Sequence, residues 1–154
     1  MPRIIHPGQH VLTASVFLIT NNEPVRRVLL RFHPKLGRWL QPGGHVESDQ
    51  DPITAVVEEC DCEVGIDISA YLKPIITLGD VVVLPPPVHL TTIHIPAGKP
   101  NPEDPEHYMV DMGYLVHLPH QEVRAGVQAD WVDKFSLRKY DPPQDVLVFL
   151  EHHL

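Results

Sequence analysis

The chain has 154 residues, of which 43% are hydrophobic and 21% are charged, and this composition is typical of one soluble globular domain. Its formal net charge of -8 excludes a general nucleic-acid surface, because phosphate backbones are bound by clustered Lys and Arg side chains. No apolar stretch has the length of a signal peptide or a membrane span. We therefore expect a single domain over residues 1–154, a cytoplasmic location and no membrane partner.

The first elements predicted are two strands. Residues 11–20 and 25–32 are rich in β-branched and aromatic side chains, and the polar segment between them contains Asn21, Asn22 and Pro24. This pattern is typical of a β-hairpin. A short loop then leads through Trp39 to Gly43 and Gly44, where we expect a turn whose backbone conformation larger residues avoid.

A helix is predicted over residues 52–64. Asp51 is suited to the N-cap. Pro52 is suited to the first helical position, because a backbone N–H at that position has no partner within the helix and its absence costs little. Gly65 is suited to end the helix in a left-handed conformation.

The rest of the chain alternates between strand and loop patterns and ends in a second helix. Short strands are predicted at residues 75–78, 81–84, 89–95, 107–118 and 129–132. Residues 97–106 contain three prolines and are predicted to form a long surface loop. Apolar residues at helical spacing predict an amphipathic helix at 142–154. The order of elements predicts a mixed sheet with helices packed on it.

Acidic residues are concentrated on one face of the predicted first helix. At about 100° per residue, Glu59, Cys62 and Glu63 share this face, and Glu58 lies at its edge. The apolar stripe that should pack on the sheet lies on another flank and contains Ile53, Val56, Val57, Cys60 and Val64. Carboxylates one turn apart repel each other, so they indicate either a solvated surface or a divalent cation such as Mg²⁺ or Mn²⁺.

The segment 44–66 resembles the Nudix box, whose pattern is GX5EX7REUXEEXGU with U a bulky aliphatic residue. The matching positions are Gly44, Glu59, Glu63, Gly65 and Ile66. The preceding WLQPGGHVE sequence is also similar to the usual approach to this box. The resemblance implies an α/β fold of the Nudix type, an α/β/α sandwich with a mixed sheet flanked by helices.

Three positions depart from the pattern. Gln50 replaces the first Glu, Glu58 replaces the Arg, and Cys62 replaces one of the paired Glu residues. A carboxylate in place of the Arg should raise the pKa of neighbouring acids, and a soft thiolate is a poor ligand for Mg²⁺. We therefore expect a weaker or differently selective metal site than the intact box implies.

The resemblance implies a metal-dependent hydrolase that cleaves a pyrophosphate bond in a nucleoside diphosphate derivative or a related phosphorylated metabolite. Glu59 and Glu63 would be catalytic and would bind Mg²⁺ or Mn²⁺, with Glu58 as a further candidate ligand. Gly43 and Gly44 would place free backbone against the substrate. The alternative is a nucleotide-binding module that keeps the fold but has lost turnover. The oligomeric state stays open, with a homodimer as one alternative.

Several other residues are candidates for roles in a site. Basic residues flank the early strands, and one or two of them could contact phosphates: Arg26, Arg27, Lys35 and Arg38. His89, His94 and His107 are spread over separate elements, which favours structural or surface roles over a second metal site. Trp131 is more typical of packing than of base stacking.

Overall fold

The computed structural model describes residues 3–154, and Met1 and Pro2, which the predicted domain includes, lie outside the described residues. The two α-helices are α1 (Pro52–Val64) and α2 (Gln144–His153). The strands are β1 (His10–Thr20), β2 (Arg27–His33), β3 (Arg38–Leu40), β4 (Gly43–His45), β5 (Ile76–Leu78), β6 (Val81–Val83), β7 (His89–Ile95), β8 (His107–Leu118) and β9 (Ala129–Asp133). The predicted helices and strands are all present, with boundaries shifted by no more than two residues, whereas β3 and β4 were not predicted.

The main sheet is mixed and is centred on β1. Its strand order is β3-β2-β1-β8-β7, with β4 also paired to β1 and β9 to β2. Strand β1 runs parallel to β8 over its whole length, from His10 opposite Tyr108 to Thr20 opposite Leu118, and antiparallel to β2 and β4. Strand β1 lies in the middle of the sheet, and most of its residues are buried.

Side chains alternate between the two faces along β1, so each face of the sheet presents apolar residues on which a helix packs. Val16 and Leu18 point to the face where α1 packs through Val56 and Cys60. Phe17 and Ile19 point to the opposite face, where α2 packs through its own apolar residues. The architecture is an α/β/α sandwich, as predicted.

Helix α1 begins and ends where the sequence predicts. The side chain of Asp51 accepts a hydrogen bond of 2.8 Å from the backbone N–H of Thr54, and Pro52 occupies the first turn. Gly65 adopts a left-handed conformation with φ of 75°, and its N–H donates to the carbonyl of Asp61. Neither α1 nor any other helix within residues 3–154 is long and apolar enough to cross a membrane.

The segment at Gly43 and Gly44 differs from the prediction. Both residues lie in β4, paired with Ser15 and Ala14 of β1, and neither has a positive φ. Glycine is required here by close packing instead. A Cβ on Gly43 would lie 2.6 Å from the carbonyl oxygen of Ala14, and a Cβ on Gly44 would lie 2.6 Å from Cδ of Glu59. These glycines therefore hold β4 close to β1 on one side and to α1 on the other.

Strands β5 and β6 form a separate two-stranded hairpin. Within residues 3–154 they pair only with each other, in the register Ile76 opposite Val83 and Leu78 opposite Val81. Every residue of both strands is exposed. The hairpin therefore extends from the sandwich without contributing to either of its cores.

Candidate functional site

A cleft of about 330 Å³ lies between the acidic face of α1, strand β4 and the end of β2. Its acidic residues are Glu47, Glu59 and Glu63, and its basic and imidazole residues are Arg3, Arg31, Lys35, His33 and His45. Gly43 and Gly44 form part of its wall. Three cations thus face three carboxylates, so this cleft is locally neutral in a protein whose formal net charge is -8.

Glu63 is held by two contacts that fix its carboxylate at the cleft wall. One oxygen accepts a hydrogen bond of 2.8 Å from the backbone N–H of Gly43. The other forms an ion pair with Arg31, and both side chains of this pair are mostly buried. Strand β2 supplies Arg31 from the same face as Leu29, which packs in the core beneath α1. The sheet and the helix therefore meet at this pair.

Glu59 lies one turn earlier on α1 and is less constrained. Its carboxylate packs against Gly44, where even a methyl group would collide with it. Burial is the main cause that raises the pKa of Glu59, followed by repulsion from Glu47, and no hydrogen bond from residues 3–154 opposes these effects. This carboxylate is thus partly desolvated and free to accept a new partner.

The pKa of Glu63 is also raised, and burial is again the largest cause. The Gly43 N–H and Arg31 both act in the opposite direction, while Glu59 raises the pKa further. Two neighbouring carboxylates with raised pKa values indicate a site that would be stabilised by an added positive charge.

The imidazoles of the cleft stay uncharged near neutral pH. Burial lowers the pKa of His33 and of His45, and the neighbouring Arg31 and Arg3 lower these values further. At neutral pH the positive charge of the cleft therefore comes from its arginines and lysine.

Glu58 is not brought to the cleft. It is exposed and accepts a hydrogen bond from the side chain of Gln50, so two of the three residues that depart from the box pattern are paired with each other. Glu58 still contributes to the raised pKa of Glu59, in the direction expected from the sequence, but less than burial and Glu47 do.

The two cysteines of α1 have different surroundings. Cys60 is buried in the core beneath the helix, where burial raises its thiol pKa to about 12, so it acts as a small hydrophobic residue. Cys62 is exposed and lines a neighbouring cavity of about 430 Å³. That cavity shares Arg31, Pro34 and Glu63 with the cleft, so the Arg31–Glu63 pair forms the wall between them.

Several cleft residues were missed in the sequence analysis. Of the basic candidates, Lys35 does line the cleft, but Arg27 pairs with Glu23 and Arg38 donates to a backbone carbonyl. Arg31 could have been identified from the sequence, because residues two apart on a strand point to the same face and Leu29 on the predicted strand is apolar. Arg3, which pairs with Glu47 across the chain, has no comparable signal in the sequence.

The remaining candidates are structural or peripheral. His89 contacts Asp145 of α2, His94 contacts Glu106, and the buried ring of His107 bonds to the carbonyl of Pro105, so they do not form one site. Trp131 packs against the core on the α1 side, and its indole N–H donates to the carbonyl of Gln121. The predicted packing role of Trp131 is therefore confirmed.

The oxygen donors of the cleft suit a hard cation to which the protein contributes only one or two ligands. Within residues 3–154 no group of three or more His, Cys, Asp or Glu side chains is arranged to hold a metal. Mg²⁺ commonly uses one or two carboxylates and completes its shell with water and substrate phosphates. Glu59 and Glu63 fit that requirement, because both are oxygen donors in one cleft and no hydrogen bond within residues 3–154 engages the Glu59 carboxylate.

No protein-family model matches the chain, and comparison with curated proteins finds no match. Comparison with solved structures does find similar proteins. A hydrolase of the Nudix family from Clostridium perfringens has a TM-score of 0.69 and 23% identity, covering 94% of this chain and 95% of that one. The E. coli dihydroneopterin triphosphate pyrophosphohydrolase has a TM-score of 0.67 and 16% identity, covering 96% and 97%.

A third similar structure is a Nudix domain bound to a nucleotide. It is the Nudix domain of Shewanella oneidensis NrtR complexed with ADP ribose, with a TM-score of 0.58 and 19% identity, covering 94% of this chain and 86% of that one. The chain therefore has the Nudix fold, as the resemblance of residues 44–66 implied.

Proposed function

We propose that the protein is a hydrolase that cleaves a pyrophosphate bond in a nucleoside diphosphate derivative or a related phosphorylated metabolite, with Mg²⁺ or Mn²⁺ as cofactor. The observation that carries this proposal is the placement of Glu59 and Glu63 in one cleft, against Gly43 and Gly44 and facing Arg31 and Lys35. Carboxylates beside cations and free backbone are the groups needed to bind a phosphate chain together with a divalent cation.

The cations of the cleft would bind the phosphates. Arg31 can offer several N–H donors in a planar fork, and Lys35 provides a point charge at the rim. An acidic protein repels phosphates at long range, so this local group of cations is what makes the cleft suitable for them.

Glu59 and Glu63 would hold the cation, which would supply Lewis-acid polarisation of a phosphoryl oxygen. Glu59 is the better candidate for the base, because both oxygens of Glu63 are already engaged by Gly43 and Arg31. In this proposal Glu59 takes a proton from water, the water oxygen bonds to phosphorus, and the bridging P–O bond breaks. The bridging oxygen leaves with the other phosphate group.

The second candidate function is nucleotide binding without hydrolysis. Its support is specific: Arg31 already neutralises Glu63, Arg3 neutralises Glu47, and Cys62 points to the neighbouring cavity instead of adding a hard oxygen ligand. A cleft neutralised in this way can bind an anion without a metal. The similarity to a Nudix domain complexed with ADP ribose is compatible with either function.

Hydrolysis assays on a panel of nucleoside diphosphate sugars, dinucleoside polyphosphates and nucleoside triphosphates, each with Mg²⁺ or Mn²⁺, separate the two functions. We expect turnover by the wild type and a loss of about 10²–10⁴-fold in Glu59→Gln, the usual contribution of a positioned base. Asp61→Asn, an exposed carboxylate on the same helix, is the matched control and should keep wild-type activity.

Calorimetry on the same panel completes the test. A wild type that hydrolyses nothing but binds a nucleotide equally well with and without Mg²⁺ would favour the binding module. Equal activity of Glu59→Gln and the wild type would remove Glu59 from the reaction.

A further inference from the structure

The cavity of about 430 Å³ beside the cleft, called the second cavity below, has no part in the chemistry proposed above. Its walls are the end of β2, the last turn of α1 and the loop that precedes β9. A cavity of this volume is large enough to hold a small ligand or a part of one.

The loop that closes the second cavity is fixed at both ends. The backbone N–H of Arg124 donates to the carbonyl of Val64 at 2.9 Å, and its guanidinium donates to the carbonyl of Cys62. At the other end, the backbone N–H of Phe32 donates to the carbonyl of Gln128 at 2.9 Å. A ligand would therefore enter a site whose walls are already held in place, which lowers the entropic cost of binding.

The charged groups of the second cavity have a positive balance. They are two cations, Arg31 and Arg124, and one carboxylate, Glu63, which is already paired with Arg31. No carboxylate within residues 3–154 forms an ion pair with Arg124. A guanidinium has five N–H donors, so the bond to the Cys62 carbonyl leaves donors for a ligand. In a protein with a formal net charge of -8, this local positive charge favours an anion.

The residue at position 62 is what keeps this balance positive. A glutamate there, as in the box pattern, would add a second carboxylate to the wall and offset the charge of Arg124. Cys62 lines the second cavity and contributes no carboxylate. The departure that removes a hard metal ligand from α1 thus also leaves room for an anion beside Arg124.

Arg31 connects the second cavity to the cleft. Its pair with Glu63 forms the shared wall, and Pro34 also lines both spaces. Because a planar guanidinium donates from several N–H groups, Arg31 can contact one phosphate in the cleft and the next one beyond it. A phosphate chain in the cleft can therefore continue past Arg31 toward Arg124.

We propose that Arg31 and Arg124 form a phosphate subsite in the second cavity, which binds a phosphate of the substrate beyond the pyrophosphate in the cleft. This inference rests on the proposed function for the pyrophosphate itself. It names the substrate class more closely, as a compound with a triphosphate or longer chain instead of a nucleoside diphosphate sugar.

Calorimetric titrations of the full chain with inorganic pyrophosphate and inorganic tripolyphosphate test this subsite, in buffer freed of divalent cations. We expect the wild type to bind tripolyphosphate at least about tenfold more tightly, because a charge-assisted contact with Arg124 is added. Arg124→Gln should lower the tripolyphosphate affinity about tenfold. At physiological ionic strength it should leave the pyrophosphate affinity within about twofold, because the charge removed lies outside the cleft.

The matched control is Arg26→Gln, which removes an exposed arginine outside both cavities and should keep both affinities. Cys62→Glu tests the subsite without removing Arg124. Its added carboxylate should weaken tripolyphosphate binding about tenfold, whereas Cys62→Ser should bind as the wild type does. Circular dichroism establishes that each variant is folded.

A wild type that binds the two phosphate chains equally would overturn the subsite. So would an Arg124→Gln variant that loses both affinities in equal measure, or a folded Cys62→Glu variant with wild-type affinity. If tripolyphosphate has no advantage while inorganic phosphate binds and requires Arg124, the substrate subsite is refuted and the cavity belongs to free phosphate.

These titrations involve no turnover, so they are independent of the hydrolysis assays. A protein that shows the expected binding but hydrolyses nothing would lack the proposed function and keep the subsite. Hydrolysis by a wild type that binds both chains equally would refute the subsite alone.

Discussion

The cleft and the β5–β6 hairpin are both open to solvent, but their side chains are satisfied in opposite ways. In the cleft, charged groups are paired within the chain, Glu63 with Arg31 and Glu47 with Arg3. In the hairpin, apolar side chains have no partner within the described residues. A polar surface can therefore be complete in the free protein and still bind a ligand by exchanging partners, whereas an apolar surface of this size gains stability only when another surface covers it.

The largest effect that would sharpen this contrast is expected at the glycines that shape the cleft. In Gly43→Ala the new Cβ would lie 2.6 Å from the Ala14 carbonyl oxygen and 2.8 Å from Cα of Ser15, backbone atoms that cannot rotate away. We expect a loss of about 2–3 kcal/mol in the free energy of unfolding and a fall of about 5–10 °C in Tm.

Gly44→Ala is the matched control for this prediction. Its Cβ would meet the carboxylate end of Glu59, a flexible side chain that can move. Thermal unfolding should show a loss below about 1 kcal/mol, while metal and nucleotide binding should weaken because Glu59 is displaced. Equal Tm values for the two variants would show that β4 is not held against β1 as tightly as its packing indicates.

The next effect compares the two carboxylates of α1. In Glu63→Gln two effects oppose each other: a carboxylate whose pKa is raised by burial becomes neutral, but Arg31 loses its charged partner in a mostly buried position. We therefore expect a change of less than about 1 kcal/mol in the free energy of unfolding at pH 7. Urea unfolding measures this change, and a loss above about 3 kcal/mol would show that the ion pair with Arg31 outweighs the cost of burying Glu63.

Glu59→Gln should stabilise the protein at pH 7, because Glu59 has no ion pair within residues 3–154 to lose. Because burial raises its pKa in the folded state, Glu59 contributes stability when it is protonated, and that contribution is lost as pH rises through the raised pKa. The variant should be more stable than the wild type at pH 7, by less than about 1 kcal/mol because the group is partly solvated. The difference should disappear below about pH 4, where both forms are neutral.

Local residue preferences predicted both α-helices, most of the strands and the position of α1. The Asp51 cap, Pro52 and Gly65 specify the ends of this helix through local hydrogen bonds and backbone preferences, and each is observed in the predicted role. Runs of β-branched and aromatic residues between turn residues located the strands, including the hairpin, because these preferences are local. The spacing of Glu59 and Glu63 likewise predicted that they share a helix face, and both line the cleft.

The contacts between these elements depend on their packing in three dimensions. Positions 43 and 44 require glycine because β1 and α1 pack closely against them, not because the backbone turns there. The Arg31–Glu63 and Arg3–Glu47 pairs join residues far apart in the chain, and the exclusion of Glu58 from the cleft depends on how α1 is rotated against the sheet. Local spacing contains information about neighbours along one element, whereas partner choice across elements depends on packing that no short segment encodes.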